Sequence, residues 1–429
     1  MSDSERTGPR LDRLSAPKGT FDTLPPESAT FLAVREEITR TLRLAGYGYV
    51  ETPVFEDTAV FRRGVGESTD VVTKEMYTFT DRGGRSLTLR PELTAGLVRA
   101  AIEHNLYAGQ LPVKLYSVGA NFRYEQPQAG RYRHFTQVDA EALGLDDPTL
   151  DAEMVALGVQ AFDAVGLGDY TTELNSLGDR TCRPAYREKL RDFLRGLSLD
   201  EQTRQRVEVN PLRVLDDKRP GVAAQVAGAP LMVDHLCAGC RAHYDAVRDQ
   251  LADLGVRWVE NPTLVRGLDY YTRTTFEYVH NRLGAQASIG GGGRYDGLSA
   301  QLGGPDTSGI GWAIGVDRTL LALAAEGLAP KQPPRVAAFV VPLGDAARRR
   351  ALPLATELRQ AGVATDLAFG GKGLKGAMRS ADRSGARYAV ILGERDIADG
   401  VAQLKDLGSG AQHAVPLGDL VTTLKEKLS

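Results

Sequence analysis

Strand-like runs, in which apolar and polar residues alternate, dominate the first third of this 429-residue chain. They read YVETPVFE, TFTD, SLTLRP, VKLYSVGANFRYE and RHFTQVDAEALG, with one helical segment, TAGLVRAAIEH, among them. A parallel sheet would need a helix after nearly every strand, and that alternation is missing. The order predicts an α+β fold with an antiparallel sheet flanked by helices, and we expect the sheet to carry the functional site.

Helical patterns lie on both sides of these strands. Apolar residues recur at helical spacing from Phe31 to Leu42, which predicts a helix over 28–45 that ends at Gly46. Residues 1–17 are polar and aperiodic, so we expect a loose arm there. Residues 173–233 contain charged helical segments broken by Pro and Gly, which predicts a helical insertion.

The proline-rich segment LAPKQPP divides the chain, because clustered prolines continue neither a helix nor a strand ladder. Beyond it, VAAFVVP, VATDLAF and YAVILG alternate with helical segments, which predicts a small separate α/β domain. The predicted boundaries are 1–328 for the main domain, 329–334 for the linker and 335–429 for the tail domain.

Composition excludes several classes of protein. Hydrophobic residues make up 42% and charged residues 25%, which is typical of compact globular domains and not of disordered chains. Three cysteines give no disulfide framework and suit a reducing compartment, and no apolar run is long enough for a membrane span. We therefore expect a cytoplasmic protein with neither a secretory leader nor a membrane segment.

Charge is distributed unevenly between the two predicted domains. Residues 331–429 contain 15 Lys and Arg against 10 Asp and Glu, whereas residues 1–330 contain 37 against 45. A basic module on an acidic body is a weak indication of a polyanionic partner, since an imbalance of this size is usually a solvated surface.

The segment FRYEQPQAGRYRHFTQVDAEALG carries the most chemistry. Because side chains alternate along a strand, we expect Arg123 and Glu125 to share one face of a strand. Gln137, Asp139 and Glu141 would likewise share one face of the next strand. On the pattern alone, this is either a polar site on a sheet surface or a hairpin whose charges are solvated.

That segment is similar to motif 2 of class II aminoacyl-tRNA synthetases, and specifically to that of the histidyl-tRNA synthetases. GYGYVETPVFE resembles motif 1, which ends at a proline, here Pro53, and forms the dimer interface in that class. GIGWAIGVDRTLLAL resembles motif 3, with Arg318 in the first turn of its helix. LVRGLDYYTRTTFE and GGGGRYDGL resemble the two signatures peculiar to the histidine enzymes. With KGTFDTLPPE and the α/β tail, the resemblance covers nearly the whole chain in the family's order.

The resemblance implies an enzyme that activates L-histidine with ATP and Mg²⁺ and transfers the histidyl group to the 3′ end of tRNA(His). It also implies a homodimer, an insertion that packs against the tRNA acceptor arm and a tail that reads the anticodon. The alternative is a non-catalytic regulatory paralogue of ATP phosphoribosyltransferase. Such paralogues lack the tail and have eroded signatures, whereas this chain has both tail and signatures.

Arginines are the predicted ATP-binding groups. Arg318 lies at the positive end of a helix, which disfavours a cation unless an anion or a π-system is nearby. A surface ion pair of Arg318 with Asp317 or Glu326 is the alternative. By resemblance, Arg318 packs by the adenine and triphosphate, and Arg123 holds the α-phosphate and acts in catalysis. The resemblance assigns ATP binding to Arg123, Glu125, Arg131 and Arg318.

Arg266 is the second catalytic residue that the resemblance implies. In the family it contacts both the amino-acid carboxylate and the α-phosphate, where it offsets the repulsion between the two anionic reactants. Its alternative role is a structural salt bridge to Asp269. The run Gly290 to Gly293 would let a backbone come close to a ligand or would form a flexible turn, and it does not match a dinucleotide-binding fingerprint.

Carboxylates and tyrosines are the groups that would select histidine. By resemblance, Glu92 receives the α-ammonium group beside Thr94, and Glu141 and Tyr271 hydrogen-bond the imidazole. An acceptor that faces a ring N–H rejects isosteres without that donor, so no editing domain is expected. The residues assigned to histidine binding are Glu92, Thr94, Gln137, Glu141, Arg266, Tyr270 and Tyr271.

A metal site is the competing interpretation of one further cluster. His235, Cys237, Cys240 and His243 fall within nine residues and include a C-x-x-C pair. On one helix they could not all converge on one ion, and the second C-x-x-C of a zinc ribbon is missing. Ordinary packing is favoured over zinc, and no metal site made by the protein alone is predicted.

Overall fold

The computed structural model describes residues 14–67, 69–217, 219–284, 287–328 and 335–428. The chain divides into two compact units, residues 1–330 and 331–429. The predicted linker at 329–334 and most of the predicted N-terminal arm lie outside the described residues. In the described part of the chain, no helix has the length and apolar character needed to cross a membrane.

The strands of the first unit run from near the N-terminus to the end of the predicted main domain. In chain order they are β1 Gly48–Tyr49, β2 Phe55–Asp57, β3 Tyr77–Thr80, β4 Ser86–Leu89, β5 Val113–Phe122, β6 His134–Leu143, β7 Tyr170–Ser176, β8 Val259–Glu260, β9 Thr272–His280, β10 Ser288–Arg294 and β11 Gly309–Gly315. The α-helices are α1 Glu27–Leu44, α2 Thr58–Val65, α3 Thr94–Glu103, α4 Pro148–Ala164, α5 Arg183–Arg195, α6 Glu201–Val209, α7 Leu212–Leu215, α8 Pro220–Val226, α9 Ala238–Asp253, α10 Leu298–Gln301 and α11 Val316–Glu326.

Eight of these strands form one large sheet in the order β1-β5-β6-β11-β10-β9-β7-β8. The two outermost pairs, β1 with β5 and β7 with β8, are parallel, and the inner pairs are antiparallel. The predicted α+β class with an antiparallel sheet and flanking helices is confirmed.

A separate three-stranded sheet, in the order β2-β4-β3, takes up the runs TFTD and SLTLRP. The run YVETPVFE was expected to be one strand, but it splits between the two sheets. The last backbone hydrogen bond to the large sheet is from Val50 to Tyr116, and Pro53, which has no N–H to donate to a ladder, lies between the two sheets.

Strand alternation separates the core from the site. On β6, Val138, Ala140 and Ala142 enter the main hydrophobic core with residues of α1 and α4. On β11, Ile310, Trp312 and Ile314 enter the same core. Alternate residues face the other side of the sheet. That face therefore carries the polar residues of β6 and the small residues of β11, which leave space for a ligand.

The helical insertion has its own core. Buried residues from Cys182 to Cys240 pack together, among them Tyr186 and Leu190 of α5. The predicted start at residue 173 is too early, because residues 170–176 form β7 and pair with β9 in the large sheet. Polar residues such as Glu173 obscure this strand in the sequence, yet the sheet satisfies their backbone groups.

The tail unit is the predicted α/β domain with two extra strands. Its elements are β12 Ala338–Pro342, α12 Asp345–Gln360, β13 Thr365–Leu367, α13 Leu374–Ser384, β14 Tyr388–Leu392, α14 Glu394–Ala398, β15 Val401–Asp406, β16 Gln412–Pro416 and α15 Leu420–Leu428. The sheet order is β13-β12-β14-β15-β16, and β15 and β16 pair antiparallel. Sequence analysis missed these two strands because several of their residues are exposed.

Candidate active site

A cleft of about 640 Å³ opens on the site face of the large sheet. Ten of the eleven predicted site residues line it: Glu92, Thr94, Arg123, Glu125, Arg131, Gln137, Arg266, Tyr270, Tyr271 and Arg318. The eleventh, Glu141, lies behind the cleft wall, where its carboxyl group accepts a hydrogen bond of 2.6 Å from the Thr94 hydroxyl. Residues from distant parts of the sequence thus meet in one place.

The placement of Arg123 and Glu125 on a strand is wrong, because β5 ends at Phe122. Both residues lie in the loop between β5 and β6, where the Glu125 N–H donates to the carbonyl of Arg123 in a tight turn. The Arg123 guanidinium donates to the carbonyl of Pro91 at 2.9 Å, and Glu125 forms an ion pair with Arg131. Pro127, further along this loop, has no N–H to donate to a strand ladder.

Three guanidinium groups gather at one end of the cleft. Arg318, in the first turn of α11, donates to the carbonyls of Gly130 and Ser288, each at 2.8 Å. Burial lowers the pKa of Arg318; Glu125 opposes this shift, and the nearby guanidiniums of Arg123 and Arg131 add to it. Such mutual repulsion between cations favours an anion at this end of the cleft.

Arg266 is connected to the end of the cleft that holds the three guanidinium groups through the carboxylate of Glu277, which was not predicted from the sequence. Its guanidinium forms an ion pair of 2.7 Å with Glu277 on β9, and the same carboxylate accepts a 2.7 Å hydrogen bond from the Ser288 hydroxyl. Burial lowers the pKa of Arg266, but Glu277, Tyr271 and Tyr270 outweigh it and the net shift is upward. Glu277 lies in the motif TRTTFE, and the available signal was a carboxylate between the large apolar residues Phe276 and Tyr278.

The glycine run is not a flexible turn, and two of its members, Gly290 and Gly291, line the cleft. Gly290 to Gly293 belong to β10, which is a buried strand between β9 and β11. A Cβ on Gly291 would lie 2.8 Å from the Arg266 guanidinium, and one on Gly293 would lie 3.0 Å from the Tyr271 ring. The missing side chains therefore make room for two side chains that line the cleft.

A group of carboxyl groups forms a second part of the site. Both oxygens of Glu92 accept backbone N–H groups at the start of α3, from Thr94 and from Ala95, each at 2.9 Å. Burial raises the pKa of Glu92, and these hydrogen bonds oppose the shift. The N-terminus of α3, which follows Glu92 in the chain, thus holds the carboxyl group in a fixed orientation. Leu93, between Glu92 and the start of α3, is fully buried.

Glu141 is held between two hydroxyl groups. Thr94 donates to one carboxyl oxygen and Tyr295 donates to the other. Tyr295 lies in the motif GGGGRYDGL but was not predicted as a site residue. The pKa of Glu141 is raised to about 8, because burial and the neighbouring Glu92 outweigh the hydrogen bonds from Thr94 and Tyr295, which lower it. A Cβ on Gly311 would collide with this carboxyl group, so the position requires glycine.

Aromatic rings surround this carboxyl group. The Tyr270 and Tyr271 ring centroids are 4.6 Å apart, and those of Tyr270 and Tyr295 are 5.5 Å apart. All three residues are buried. A flat ring with polar nitrogens would meet stacking surfaces, hydroxyl groups and a carboxyl group here.

Asp139 is a further candidate that sequence analysis placed on this strand face without a role. It lines the cleft, its side chain is almost fully buried, and its Oδ1 has no hydrogen-bond partner among the described residues. Burial raises its pKa well above the usual value, Glu141 and Glu92 raise it further, and Arg90 and Arg123 oppose them. A buried unpaired acceptor in a cleft favours a ligand that donates hydrogen bonds.

The cluster His235, Cys237, Cys240 and His243 does not meet at one point. His243 hydrogen-bonds the buried Asp151 at 2.8 Å, and the His235 ring packs against Tyr186 with centroids 5.6 Å apart. The two cysteines instead meet Asp179 and Cys182. The four-residue metal site considered in the sequence is therefore not formed by these residues.

Comparison with known proteins agrees with this geometry. Residues 19–319 match the family described as Histidyl-tRNA synthetase, and residues 337–427 match that described as Anticodon binding domain. The chain is 62% identical over 418 residues to a Histidine--tRNA ligase of Saccharopolyspora erythraea, covering 97% of this chain and all of the relative. It is 61% identical over 419 residues to that of Nocardia farcinica, covering 98% and 99%. The apo histidyl-tRNA synthetase of S. aureus superposes with a TM-score of 0.82 at 34% identity, covering 96% of this chain and all of that structure.

Proposed function

The chain belongs to the histidyl-tRNA synthetase family, and from this premise we propose which of its residues bind each reactant. The protein is a ligase that activates L-histidine with ATP to histidyl-adenylate and transfers the histidyl group to the 3′ end of tRNA(His). The tail is an anticodon-binding domain. The regulatory paralogue is not favoured, because the likeness to the ligases covers both domains at high identity.

The observation that carries the assignment is the polarity of the cleft. Arg123, Arg131 and Arg318 lie at one end, with Glu125 among them, and we assign this end to ATP. Glu92, Asp139 and Glu141 act on one another electrostatically in a second part of the site, which we assign to histidine, and Arg123 acts on Glu92 and Asp139 as well. Arg266 connects to the ATP end through Glu277 and Ser288, whose carbonyl accepts from Arg318.

This arrangement suits adenylate formation. The carboxylate of histidine attacks the α-phosphorus of ATP, an anhydride bond forms, and pyrophosphate leaves. Both reactants are anionic, so fixed cations at their meeting point lower the barrier more than a general base would. We assign this role to Arg266 and Arg123, since Arg266 is held by Glu277 and Arg123 by the Pro91 carbonyl.

Mg²⁺ enters as part of the nucleotide substrate in this proposal. The carboxylates of Glu125 and Glu277 both line the cleft beside the guanidiniums. Magnesium prefers oxygen ligands and commonly takes one or two carboxylates together with phosphate oxygens. These two side chains fit that requirement.

Histidine itself would be selected at the acidic end. Glu92 and Asp139 offer carboxyl oxygens to the α-ammonium group, with Thr94 and Gln137 beside them. Glu141, Tyr270 and Tyr271 would then enclose the imidazole. An amino acid without a ring N–H would not form the hydrogen bonds that this pocket offers to the imidazole, and such a loss costs a factor of order 10⁴ or more in comparable polar pockets.

Several larger-scale assignments complete the proposal. Residues 335–429 would bind the anticodon, and the insertion within 173–233 would contact the acceptor arm. Free cysteines and a tRNA substrate support a cytoplasmic location. Once histidyl-adenylate has formed, the terminal ribose hydroxyl of tRNA would attack its carbonyl carbon and AMP would leave, with the 3′-hydroxyl used by class II relatives.

A homodimer is supported by an apolar edge near motif 1. Tyr49, in the edge strand β1, is 50% exposed and Phe55, in the edge strand β2, is 51% exposed. The Phe55 and Phe79 rings contact each other with centroids 6.3 Å apart, and Phe79 is also exposed. Exposed edge strands that carry large apolar side chains favour association with a second chain.

The experiment that tests the proposed function is the exchange of labelled pyrophosphate into ATP by the full-length chain. We expect exchange that depends on histidine and on Mg²⁺, and charging of tRNA(His) in the same preparation. Exchange supported equally by another amino acid would contradict the assignment of the acidic end to histidine. Absence of exchange with any amino acid would favour the regulatory alternative.

A further inference from the structure

All three cysteines of the chain converge at one point beside the insertion. The Sγ atoms of Cys182, Cys237 and Cys240 and a carboxylate oxygen of Asp179 lie within 4.8 Å of one another. Cys182 is separated by 58 residues from Cys240, so the fold and not the local sequence brings them together. Cys182 and Cys240 are buried, and Cys237 and Asp179 are partly buried.

The separations match a tetrahedral metal site. Zinc–sulfur bonds of about 2.3 Å and zinc–oxygen bonds of about 2.0 Å place tetrahedral ligands about 3.8 Å (sulfur to sulfur) and about 3.5 Å (sulfur to oxygen) apart. The Sγ atoms of Cys182 and Cys240 are 3.8 Å apart. Oδ1 of Asp179 lies 3.4 Å from the Cys182 sulfur and 4.0 Å from the Cys237 sulfur.

The local backbone supports the same interpretation. Asp179-x-x-Cys182 and Cys237-x-x-Cys240 have equal spacing, and each precedes or begins a helix, α5 or α9. The Asp179 N–H points at the Cys182 sulfur at 3.4 Å, and the Cys240 N–H points at the Cys237 sulfur at 3.5 Å. Such N–H groups stabilise thiolate ligands. Asp179-x-x-Cys182 thus takes the place that a second C-x-x-C has in a zinc ribbon.

Two guanidinium groups balance the charge of this cluster. Arg183 and Arg273 lie within electrostatic reach of the thiols. Three thiolates, one carboxylate and a divalent ion carry a net charge of about −2, which nearby cations make tolerable in a buried place. A disulfide would pair two cysteines and leave the third and the carboxylate unexplained.

We propose that Asp179, Cys182, Cys237 and Cys240 bind one structural zinc ion at the base of the insertion. Binding releases the three thiol protons to solvent. The ion would fix both ends of the insertion against the large sheet. The connection to the sheet is Arg183, which follows Cys182 and donates to the carbonyls of Gly178 and Tyr271 at 3.0 and 2.7 Å. The site thereby supports the segment that carries Tyr271 in the cleft.

The test begins with the reduced, full-length chain and needs no variant. Metal analysis should find about one zinc per chain, in keeping with a four-ligand site. After zinc removal by a chelator, the melting temperature should fall, and added Co²⁺ should produce thiolate-to-cobalt charge-transfer absorption. Metal-free reduced protein that binds neither Co²⁺ nor zinc would overturn the proposal. So would iron in place of zinc, or a Cys182–Cys240 disulfide in freshly purified protein.

Variants then identify the ligands. Cys182→Ser and Asp179→Ala should lose most of the bound metal, whereas Asp179→Cys should retain it, because it supplies a fourth thiolate. His235→Gln is the matched control and should keep the full metal content. If His235→Gln loses metal as Cys182→Ser does, or if Asp179→Ala keeps the same affinity for Co²⁺, the ligand set is wrong. Far-UV circular dichroism of each variant excludes loss of the fold as the cause.

Discussion

Replacing Glu141 with glutamine should change stability and histidine recognition in opposite directions. The carboxyl group lies behind the cleft wall and accepts from Thr94 and Tyr295. Glutamine has nearly the same shape and can keep both contacts, since its oxygen accepts from Thr94 and its amide donates to the Tyr295 oxygen. The substitution therefore removes an ionisable group with little change in packing.

The magnitude follows from the shift in pKa. Burial raises the pKa of Glu141 from 4.5 to about 8 in the folded state. Because the folded state holds the proton more tightly, the unfolded state binds fewer protons between pH 4.5 and 8, and stability falls as pH rises through that window. At 1.36 kcal/mol per pKa unit, ionising this buried group costs at most about 5 kcal/mol. The glutamine variant avoids this cost above pH 8, and the advantage disappears below pH 4.5.

The assay is urea unfolding of both proteins at pH 5 and pH 9, followed by tryptophan fluorescence. Trp312 and Trp258 both belong to the first unit, so the signal reports that unit. We expect the free energy of unfolding of Glu141→Gln, relative to the parent, to increase by several kcal/mol between the two pH values. The histidine KM should rise far more than the ATP KM. A stability difference that is the same at both pH values would refute the argument that Glu141 is an acid of raised pKa, and equal effects on both KM values would indicate a purely structural role.

Four further substitutions or deletions test other parts of the proposal. Arg266→Ala should slow adenylate formation in single-turnover assays by orders of magnitude and leave tRNA affinity nearly unchanged, whereas near-normal exchange would remove it from the mechanism. Asp139→Asn should raise the histidine KM and leave the ATP KM nearly unchanged; an unaltered histidine KM would show that its unpaired oxygen faces no ligand. Deleting residues 331–429 should abolish most tRNA charging but spare histidine-dependent exchange, with a thermal melt to check that the remaining unit is folded; charging at the full-length rate would disprove anticodon binding by the tail. Phe55→Asp should yield monomers by sedimentation analysis, and the equally exposed control Leu254→Asp should not; a persistent dimer in Phe55→Asp would place the interface elsewhere.

Periodicity predicted most of the architecture because it reports burial. The α1 helix was expected at 28–45 and runs from Glu27 to Leu44. The separate tail followed from the proline cluster. Periodicity could not predict which distant segments pair as strands, because pairing depends on the whole sheet. Hence β2, β3 and β4 were expected in the main sheet but form a sheet of their own.

The candidate site was predicted through resemblance, and its supporting residues were not. Glu277 and Tyr295 lie within the two histidine-enzyme motifs, but only the folded chain places Glu277 against Arg266 and Tyr295 against Glu141. A carboxylate partner for an arginine cannot be chosen from the sequence when several acidic residues are near in the chain. Asp269 was the sequence candidate for Arg266, and Glu277 is the partner that the sheet provides.

The glycines show why the site needs a particular sheet and not merely particular side chains. Ile310, Trp312 and Ile314 fill the core side of β11, so their neighbours must face the site. There a Cβ on Gly311 would collide with the Glu141 carboxyl group, and a Cβ on Gly291 would lie 2.8 Å from Arg266. Glycine within a strand is normally unfavourable by roughly 0.5–1 kcal/mol relative to alanine. Glycine at these two positions is therefore explained by the space that it leaves for Glu141 and Arg266, and β11 offsets the cost by packing Ile310, Trp312 and Ile314 into the core on the opposite face.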